Sequence, residues 1–596
     1  MPADRPVVVL GGGINGAAIA RELALSGAGV VVVDEADVAG GATAWSTRLI
    51  HGGLRYLEYG ELALVRESLA ERARLVRLAP HLVRPLGFFL PVRRRTGGLL
   101  AAAARLAGWE SLARRLSGPG GRGLWAVNVG LWLYDRLAAD GDWPRHSLVR
   151  AGAAGVPRVD AGLFPFGGFY TDAQLTYPER FTVELLVDAA RIAAAAGTRL
   201  EVLTHRTVRP AAGGGLLVSR GPGAADDPSA PPRSDAACEL SPAAIVNATG
   251  AWVDRTLAAV MPAAGGPAPL IGGTKGSHLV VRSAALRGAL ADRGVYAEAA
   301  DGRPVFVLPF AARLVLVGTT DIPFSGDPAT ARADEQEIDY LLAATRRLFP
   351  AVPLARADVQ QHYCGVRPLP AAGAAGAARS PAGITRRHLL VRHPGAGVPT
   401  WSIVGGKLTT CRSLAESVAR EVLPAIGLAV RETSRDRPLP GGVAGASRDR
   451  ALETAAAAGR TAGATAAAAP RAAAALVELF GGMAAEVWRA AADPADASFL
   501  AGTDLPAAVV AHCVRAEWGA TVADLIERRL MLAFDERLTR DTVVDVARAL
   551  ARAGRLAAAD VDRAADDWIA AFEHRHGRRV GAAAAPAAAA PPAPGS

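Results

Sequence analysis

The chain opens with an unbroken apolar run, Val7–Leu10, a glycine cluster, Gly11–Gly16, and then apolar positions at helical spacing as far as Leu25. A second apolar run, Val30–Val33, closes on Asp34. Short apolar runs bounded by turn signals fit strands buried on both faces, and a helix between two of them predicts a βαβ unit with parallel strands. Glu61–Leu78 reads as a helix, and residues 181–206 as a helix leading into the strand EVLT. The Pro-, Gly-, Asp- and Ser-rich segment Arg220–Ala237 predicts a solvated hairpin excursion. From about 270 to 325 the pattern shortens to SHLVV, VFVLP and RLVLVG, as in an antiparallel sheet, and Glu335–Leu348 is helical again. A strand-like WSIV precedes GGKLTT and a helix to about Leu428. Beyond the turn Leu439–Gly442 the chain is Ala-rich and helical to about His576, and its last residues, GAAAAPAAAAPPAPGS, predict disorder.

With 596 residues there is room for two or three domains. Half of the chain is apolar but only 5% is aromatic, so alanine and not aromatic bulk fills much of the apolar count, and glycine adds further small residues. No uncharged apolar run is long enough to span a bilayer, and the opening leaves no room for a signal peptide; a cytoplasmic protein is expected. Cys238, Cys364, Cys411 and Cys513 lie far apart with no CxxC pair, which argues against a disulfide framework and against a zinc or iron–sulfur site made of cysteines; no metal is expected. The net charge of +9 is carried almost wholly by arginine. The basic residues are spread along the chain without a recognised nucleic-acid module, so nucleic acid is not an expected partner. Only two lysines occur, Lys275 and Lys407, both in Gly-rich motifs. Where arginine serves as the general cation, a surviving lysine points to a site that needs a compact ammonium.

The glycine cluster allows a tight turn and a close backbone approach to a pyrophosphate, and Asp34 can accept hydrogen bonds from a ribose. The pattern points to a dinucleotide without separating FAD from NAD. Ile245–Val253, with its small-residue turn at Ala248–Gly250, suits a second close approach to an extended cofactor. In Arg48–Leu57, two glycines between His51 and Arg55 suggest backbone packed against a flat ring with polar groups beside it. Gly405-Gly406-Lys407-Leu408-Thr409-Thr410 stands before a helix, where a helix N-terminus and a lysine favour negative charge, such as a reduced flavin carries.

These blocks carry a resemblance. GGGINGAAIA, STRLIHGGLRYLEYGE, ERARLVRLAPHLV, VNATGAWV, KGSHLVV, GTTDIPFSGDP, YCGVRPL, ITRRH, GGKLTTCR and LPGG occur in the order found in the FAD-dependent, membrane-associated glycerol-3-phosphate dehydrogenases of the D-amino-acid-oxidase-like superfamily. The resemblance covers about residues 6–430, and RAEWGATVADLIERRLML looks like that family's helical cap. It implies an α/β fold: a Rossmann-like FAD-binding domain (1–90, 145–270 and 360–430) interleaved with an antiparallel-sheet substrate domain (91–144 and 271–359). A helical C-terminal domain (440–576) and a disordered tail (577–596) complete the expected organisation.

The implied activity is oxidation of sn-glycerol 3-phosphate to dihydroxyacetone phosphate, with hydride passing from C2 to flavin N5. A membrane quinone is the expected acceptor; oxygen, or amino-acid substrates, are the alternatives. FAD would be held by Gly11, Gly13, Asn15, Gly16 and Asp34, by Gly52, Gly53 and Gly250, and by Gly406, Lys407, Leu408 and Thr409. Family members carry a Ser-rich stretch before the RLIHGG block; here Ala42-Thr43-Ala44-Trp45 stands instead, leaving Thr43 or Ser46 to supply a hydroxyl. Arg55, Tyr56, Arg367 and Arg386 would hold the substrate, three guanidiniums suiting a dianionic phosphate. Catalysis would draw on Arg367 and on a base that is His51, His278 or Lys407.

The stretch 93–123 sets Arg93, Arg94, Arg95, Arg105, Arg114, Arg115 and Arg122 against Glu110, with Leu99, Leu100, Leu106 and Trp109 between them. Such a segment fits an interfacial anchor as well as it fits a solvated insertion. The corresponding expectation is a peripheral protein on the inner face of the cell membrane, with a homodimer possible.

Overall fold

The structure is a computed structural model describing residues 5–98, 123–138, 143–211, 214–221, 237–261, 269–371, 388–394 and 397–581. The described residues divide into two compact units, one ending at Ala444 and the other starting at Gly445.

The first unit is built on two large sheets. The six-stranded sheet runs in the order Leu389–Arg392, Thr400–Val404, Ala244–Asn247, Val7–Leu10, Val30–Val33, Leu200–Leu203. All neighbours are parallel except the edge strand Leu389–Arg392. Its three central strands are buried throughout, which is why they read as continuous Val/Ile runs without alternation. The helix Ile14–Leu25 follows the first strand as the βαβ reading predicts. The helix Pro178–Ala196 ends at Gly197 in the left-handed region, where glycine bears no Cβ penalty, and leads into Leu200–Leu203. The strands flanking the expected hairpin excursion, Leu216–Arg220 and Cys238–Leu240, pair antiparallel beside Arg206–Pro210.

The second sheet has ten strands, most of them antiparallel neighbours. Thr274–Val281, Pro304–Phe310 and Leu314–Gly318 correspond to the three short β segments read from the sequence. It also takes in Val83–Val92, Phe166–Leu175 and Val359–Arg367, which the expected boundaries assigned largely to the FAD-binding part. Those strands find their partners far away in sequence, Thr274 opposite Arg367 for example, and no local pattern announces such a pairing. Behind this sheet a core of Leu279, Val281, Val307, Val317, Leu341 and Phe349 seats the helix Glu335–Leu348.

The second unit is helical, from Ala446–Thr461 to Val561–His576. Gly459 lets two of its helices close up, since a Cβ there would stand 2.9 Å from the Trp488 ring. The turn Leu439–Gly442 belongs to the first unit, its Leu439 amide donating to the Leu78 carbonyl. Residues 577–581, expected in a disordered tail, are ordered. Arg578 is buried and donates to the carbonyls of Ala533 and Asp535, and Gly581 bridges to Thr539. Residues 582–596 lie outside the described residues.

Candidate active site

Four loops leave the carboxyl ends of neighbouring parallel strands: Gly11 after Leu10, Asp34 after Val33, Ala248–Gly250 after Asn247 and Gly405–Leu408 after Val404. In an open parallel sheet that edge is where ligands bind. Here the four loops line one cavity of about 900 Å³. That is at the upper end of the range for small-molecule sites, roughly 300–1,000 Å³.

The first loop is shaped by close approach. Gly11 sits at φ +96°, and a Cβ there would stand 2.8 Å from the Ala248 carbonyl oxygen. A Cβ on Gly16 would stand 1.9 Å from the Gly11 carbonyl oxygen, so Gly16 presses the helix against the turn without lining the cavity. The Gly12 amide donates to Asp34 (2.6 Å), whose other oxygen takes the Ala36 amide (2.9 Å). Burial pushes the Asp34 carboxyl above its ordinary range, against the pull of these two amides. Thr43 accepts the Ile14 amide at the helix start (3.0 Å), and Ser46 accepts the Arg48 amide (3.3 Å). Both hydroxyl residues line the cavity, as do Gly13 and Gly250.

Asn15 links the first loop to the last. Its amide nitrogen donates to the Gly405 carbonyl (3.4 Å), and its side-chain oxygen is buried with no protein partner. Gly406, at φ +95°, leaves no room for a Cβ beside Asn15. An orphaned acceptor, exposed main chain and an acid at a strand end together fit the ribityl, pyrophosphate and ribose groups of FAD. Leu408 and Lys407 continue the same wall. The Lys407 ammonium lies 3.8 Å from the centre of the Tyr56 ring and 3.5 Å from the Ser68 hydroxyl.

The facing wall comes from the ten-stranded sheet. His278 and Arg367 lie on the paired strands Thr274–Val281 and Val359–Arg367. Arg367 donates to Asp321 (2.7 Å), the Thr319 hydroxyl (3.0 Å) and the Thr320 carbonyl (3.0 Å), which hold its guanidinium in one orientation. Gly276 makes this possible, because a Cβ there would meet that guanidinium at 2.2 Å. His278 is stacked on Tyr363, its Nε2 is 2.9 Å from the Thr47 hydroxyl, and its Nδ1 is buried without a partner. Burial, with Arg367 and Arg48 nearby, lowers the His278 pKa well below the ordinary value of 6.5. Arg48 is itself fully buried in a two-pronged pair with Glu179 (2.6 and 2.9 Å).

His51 and Tyr56 reach the cavity from the block Arg48–Leu57. The His51 amide is anchored on the Thr409 hydroxyl (3.1 Å), so Thr409 acts from behind the wall. The glycines between them allow close packing. Gly52 is packed under Leu69 and the Tyr134 hydroxyl, each within 2.5 Å of where a Cβ would stand; its amide donates to Tyr134 (2.9 Å). Gly53, at φ +78°, is filled by the Tyr56 ring. Neither is among the residues that line the cavity. Arg55 is half-buried on the same turn and is not among the lining residues, and Arg386 lies outside the described residues. Lys275 is not in the site either. It pairs with Glu337 (2.7 Å) and Asp334 (3.2 Å) at the capped start of Glu335–Leu348.

Several contributors were not singled out from sequence. Thr47 stood unremarked inside a quoted motif. Trp45 lines the cavity under Gly365, where a Cβ would stand 2.6 Å from the Trp45 Cβ. Arg206, Arg209 and Arg255 line the part near Asp34. The three arginines lack a local signal in a chain this rich in arginine. No cluster able to hold a metal ion occurs among the described residues, and no helix among them is long and apolar enough to cross a membrane.

The family described as FAD dependent oxidoreductase matches residues 6–412. A glycerol-3-phosphate dehydrogenase of Synechocystis sp. is 36% identical over 431 residues, 70% of this chain and 69% of the relative. The D-erythritol 1-phosphate dehydrogenase of Brucella abortus is 33% identical over 446 residues, 74% of this chain and 78% of the relative. The crystal structure of glycerol-3-phosphate dehydrogenase from Bacillus halodurans, complexed with FAD, matches the fold with a TM-score of 0.66 at 22% identity, over 96% of this chain and 95% of that one.

Proposed function

We propose a function for this chain, which belongs to the FAD dependent oxidoreductase family: it oxidises sn-glycerol 3-phosphate to dihydroxyacetone phosphate and passes the electrons to a membrane quinone. The observation that carries this reading is the single cavity in which a dinucleotide-binding turn and the GGK loop face His51, His278 and Arg367. When bound, FAD supplies the two-electron acceptor for the hydride that leaves C2 of the alcohol. The chain's own residues do the rest.

Arg367, fixed by Asp321 and Thr319, presents a planar cation suited to a phosphate oxygen pair. Arg55 and Arg386 are proposed as further phosphate ligands, and Tyr56 as a wall of the substrate end. Lys407 keeps positive charge on the cofactor wall, where it favours the added electron pair. As hydride leaves C2, the hydroxyl proton must leave as well, and the product is the ketone. His51 is the proposed acceptor of that proton. His278 suits the task less, because the two arginines and its burial oppose a positive imidazole; it serves as a neutral partner to Thr47.

The decisive test is anaerobic. Purified protein should be yellow, and glycerol 3-phosphate should bleach it. A folded protein that neither carries nor takes up FAD, or that is not bleached, overturns the reading. Erythritol 1-phosphate is the comparator, since it shares the phosphate and a secondary alcohol. Reoxidation by a soluble quinone in detergent, set against peroxide yield in air, distinguishes the quinone acceptor from oxygen. In His51→Gln, bleaching slowed with FAD content unchanged supports the assigned base; bleaching at the native rate removes it.

A further inference from the structure

The peptide unit between His51 and Gly52 is held at both ends. Its N–H donates to the Tyr134 hydroxyl (2.9 Å) and, at a longer 3.3 Å, to Asp172. Its carbonyl accepts the Thr409 hydroxyl (3.4 Å), the same hydroxyl that anchors the His51 amide. A peptide unit is planar, so holding both of its polar ends fixes the rotation about the Cα–C bond of His51, and with it the direction in which the imidazole leaves the chain. The glycines that follow bring no stiffness of their own: Gly53 stands at φ +78°, and glycine has the widest choice of backbone conformations. The orientation of this turn has to come from outside it.

It comes from three buried polar side chains on three separate elements. Tyr134 lies on the helix Leu124–Ala138, Asp172 on the strand Phe166–Leu175 and Arg72 on the helix Leu62–Leu78. The Tyr134 hydroxyl accepts from Gly52 and donates to the Asp172 carboxylate (2.8 Å), which also takes the Arg72 guanidinium (2.8 Å). Arg72 is held in turn by the Thr171 carbonyl (2.6 Å) and lies 3.9 Å from the centre of the Trp143 ring. None of the three lines the cavity, so they act from behind its wall. Replacing a buried ion pair by apolar residues of similar volume often costs no stability, so packing alone does not call for these groups. Apolar residues would not supply a chain of hydrogen bonds that ends on the His51–Gly52 peptide. The fit is close: a Cβ on Gly52 would stand 2.5 Å from the Tyr134 hydroxyl, so the absence of a side chain lets that hydroxyl reach the amide.

We propose that Tyr134 and Asp172, with Arg72 behind them, are positioning residues for the oxidation. Acting through the Gly52 amide, they hold His51 in the orientation from which it takes the hydroxyl proton. Their role rests on the reading of His51 as the proton acceptor and extends it to groups that touch neither substrate nor cofactor.

The test uses the full-length, FAD-loaded protein and the rate of anaerobic bleaching by glycerol 3-phosphate, followed against substrate concentration. Tyr134→Phe removes the relaying hydroxyl and keeps the ring. Bleaching at saturation should slow by about 10–100-fold, the cost of a misplaced reacting group, with the half-saturating concentration little changed. FAD content and the flavin absorption spectrum should stay native. Asp172→Asn, which keeps the shape and removes the charge, should slow bleaching in the same way. A double variant tests the route: in His51→Gln, adding Tyr134→Phe should slow bleaching no further, because the group being aimed is gone. Bleaching of Tyr134→Phe at the native rate overturns the proposal and leaves His51 as the base. Losses that multiply in the double variant overturn it too, since they report a general loosening of the fold. So does loss of FAD or of cooperative unfolding in both single variants. Failure of the underlying reading shows itself separately, as a native rate in His51→Gln alone, and takes the proposal with it.

Discussion

On the parallel-sheet side of the cavity, Gly11, Gly13, Gly405 and Gly406 withhold side chains, so the main chain itself forms much of the wall. On the facing side His278 and Arg367 reach in from strands, each held by neighbours from elsewhere in the chain. The first wall is specified by absence of bulk over a few consecutive residues. The second is specified by polar side chains, brought together over tens to hundreds of positions. A cofactor common to many enzymes can be met by main chain, whereas a particular small phosphorylated substrate needs side chains.

That contrast can be broken most severely at Gly16. The substitution Gly16→Ala puts a methyl group 1.9 Å from the Gly11 carbonyl oxygen, so the turn must open. We expect protein that purifies without FAD, read from its absorption spectrum; normal flavin content would mean that the main-chain wall tolerates bulk. On the other wall, Arg367→Met should leave FAD in place and lower kcat/KM for glycerol 3-phosphate by roughly 10–100-fold, the worth of charged hydrogen bonds. An equal loss of flavin would erase the distinction between the walls.

The two lysines sharpen it further. Lys275→Met removes a partner from buried Glu337, which keeps the hydroxyls of Ser277 and Thr320 as donors. A cost of about 1–2 kcal/mol in denaturant unfolding is expected, with flavin spectrum and turnover unchanged. Lys407→Met should do the reverse, perturbing the bound flavin's spectrum more than stability. The smallest expected effect concerns pH. Burial lowers the pKa of His278, His362 and His393. A lowered histidine gives stability that is present above pH 6.5 and is lost as pH falls, because the unfolded chain takes up protons first. His278→Gln should flatten the decline in Tm between about pH 6.5 and 5.5, a change on the order of 1 kcal/mol; an unaltered slope would remove His278 from that account.

The glycine turn, Asp34 and the GGK loop were legible because their roles depend on residues adjacent in sequence. His51, His278, Arg367 and Tyr56 were legible only through ordered motifs, since nothing in an isolated histidine or arginine says which cavity it will face. Gly52 and Gly53 pack beneath tyrosines and do not line the cavity, and Lys275 lies outside it, its neighbour Gly276 making room for Arg367. The place of Tyr134 against Gly52 could not be read at all, because it depends on which face of the helix Leu124–Ala138 the sheet accepts.

Local pattern alone therefore determined the βαβ opening, the glycine turn and the helical character of the last quarter. Each follows from spacing within a dozen residues, which is the range over which φ, ψ and hydrophobic period act. The tertiary structure decided which strands join the ten-stranded sheet, which histidine stays neutral and which cation faces the cavity. Those properties arise from pairing and burial between distant segments, where desolvation and Coulomb forces act on neighbours that only folding supplies.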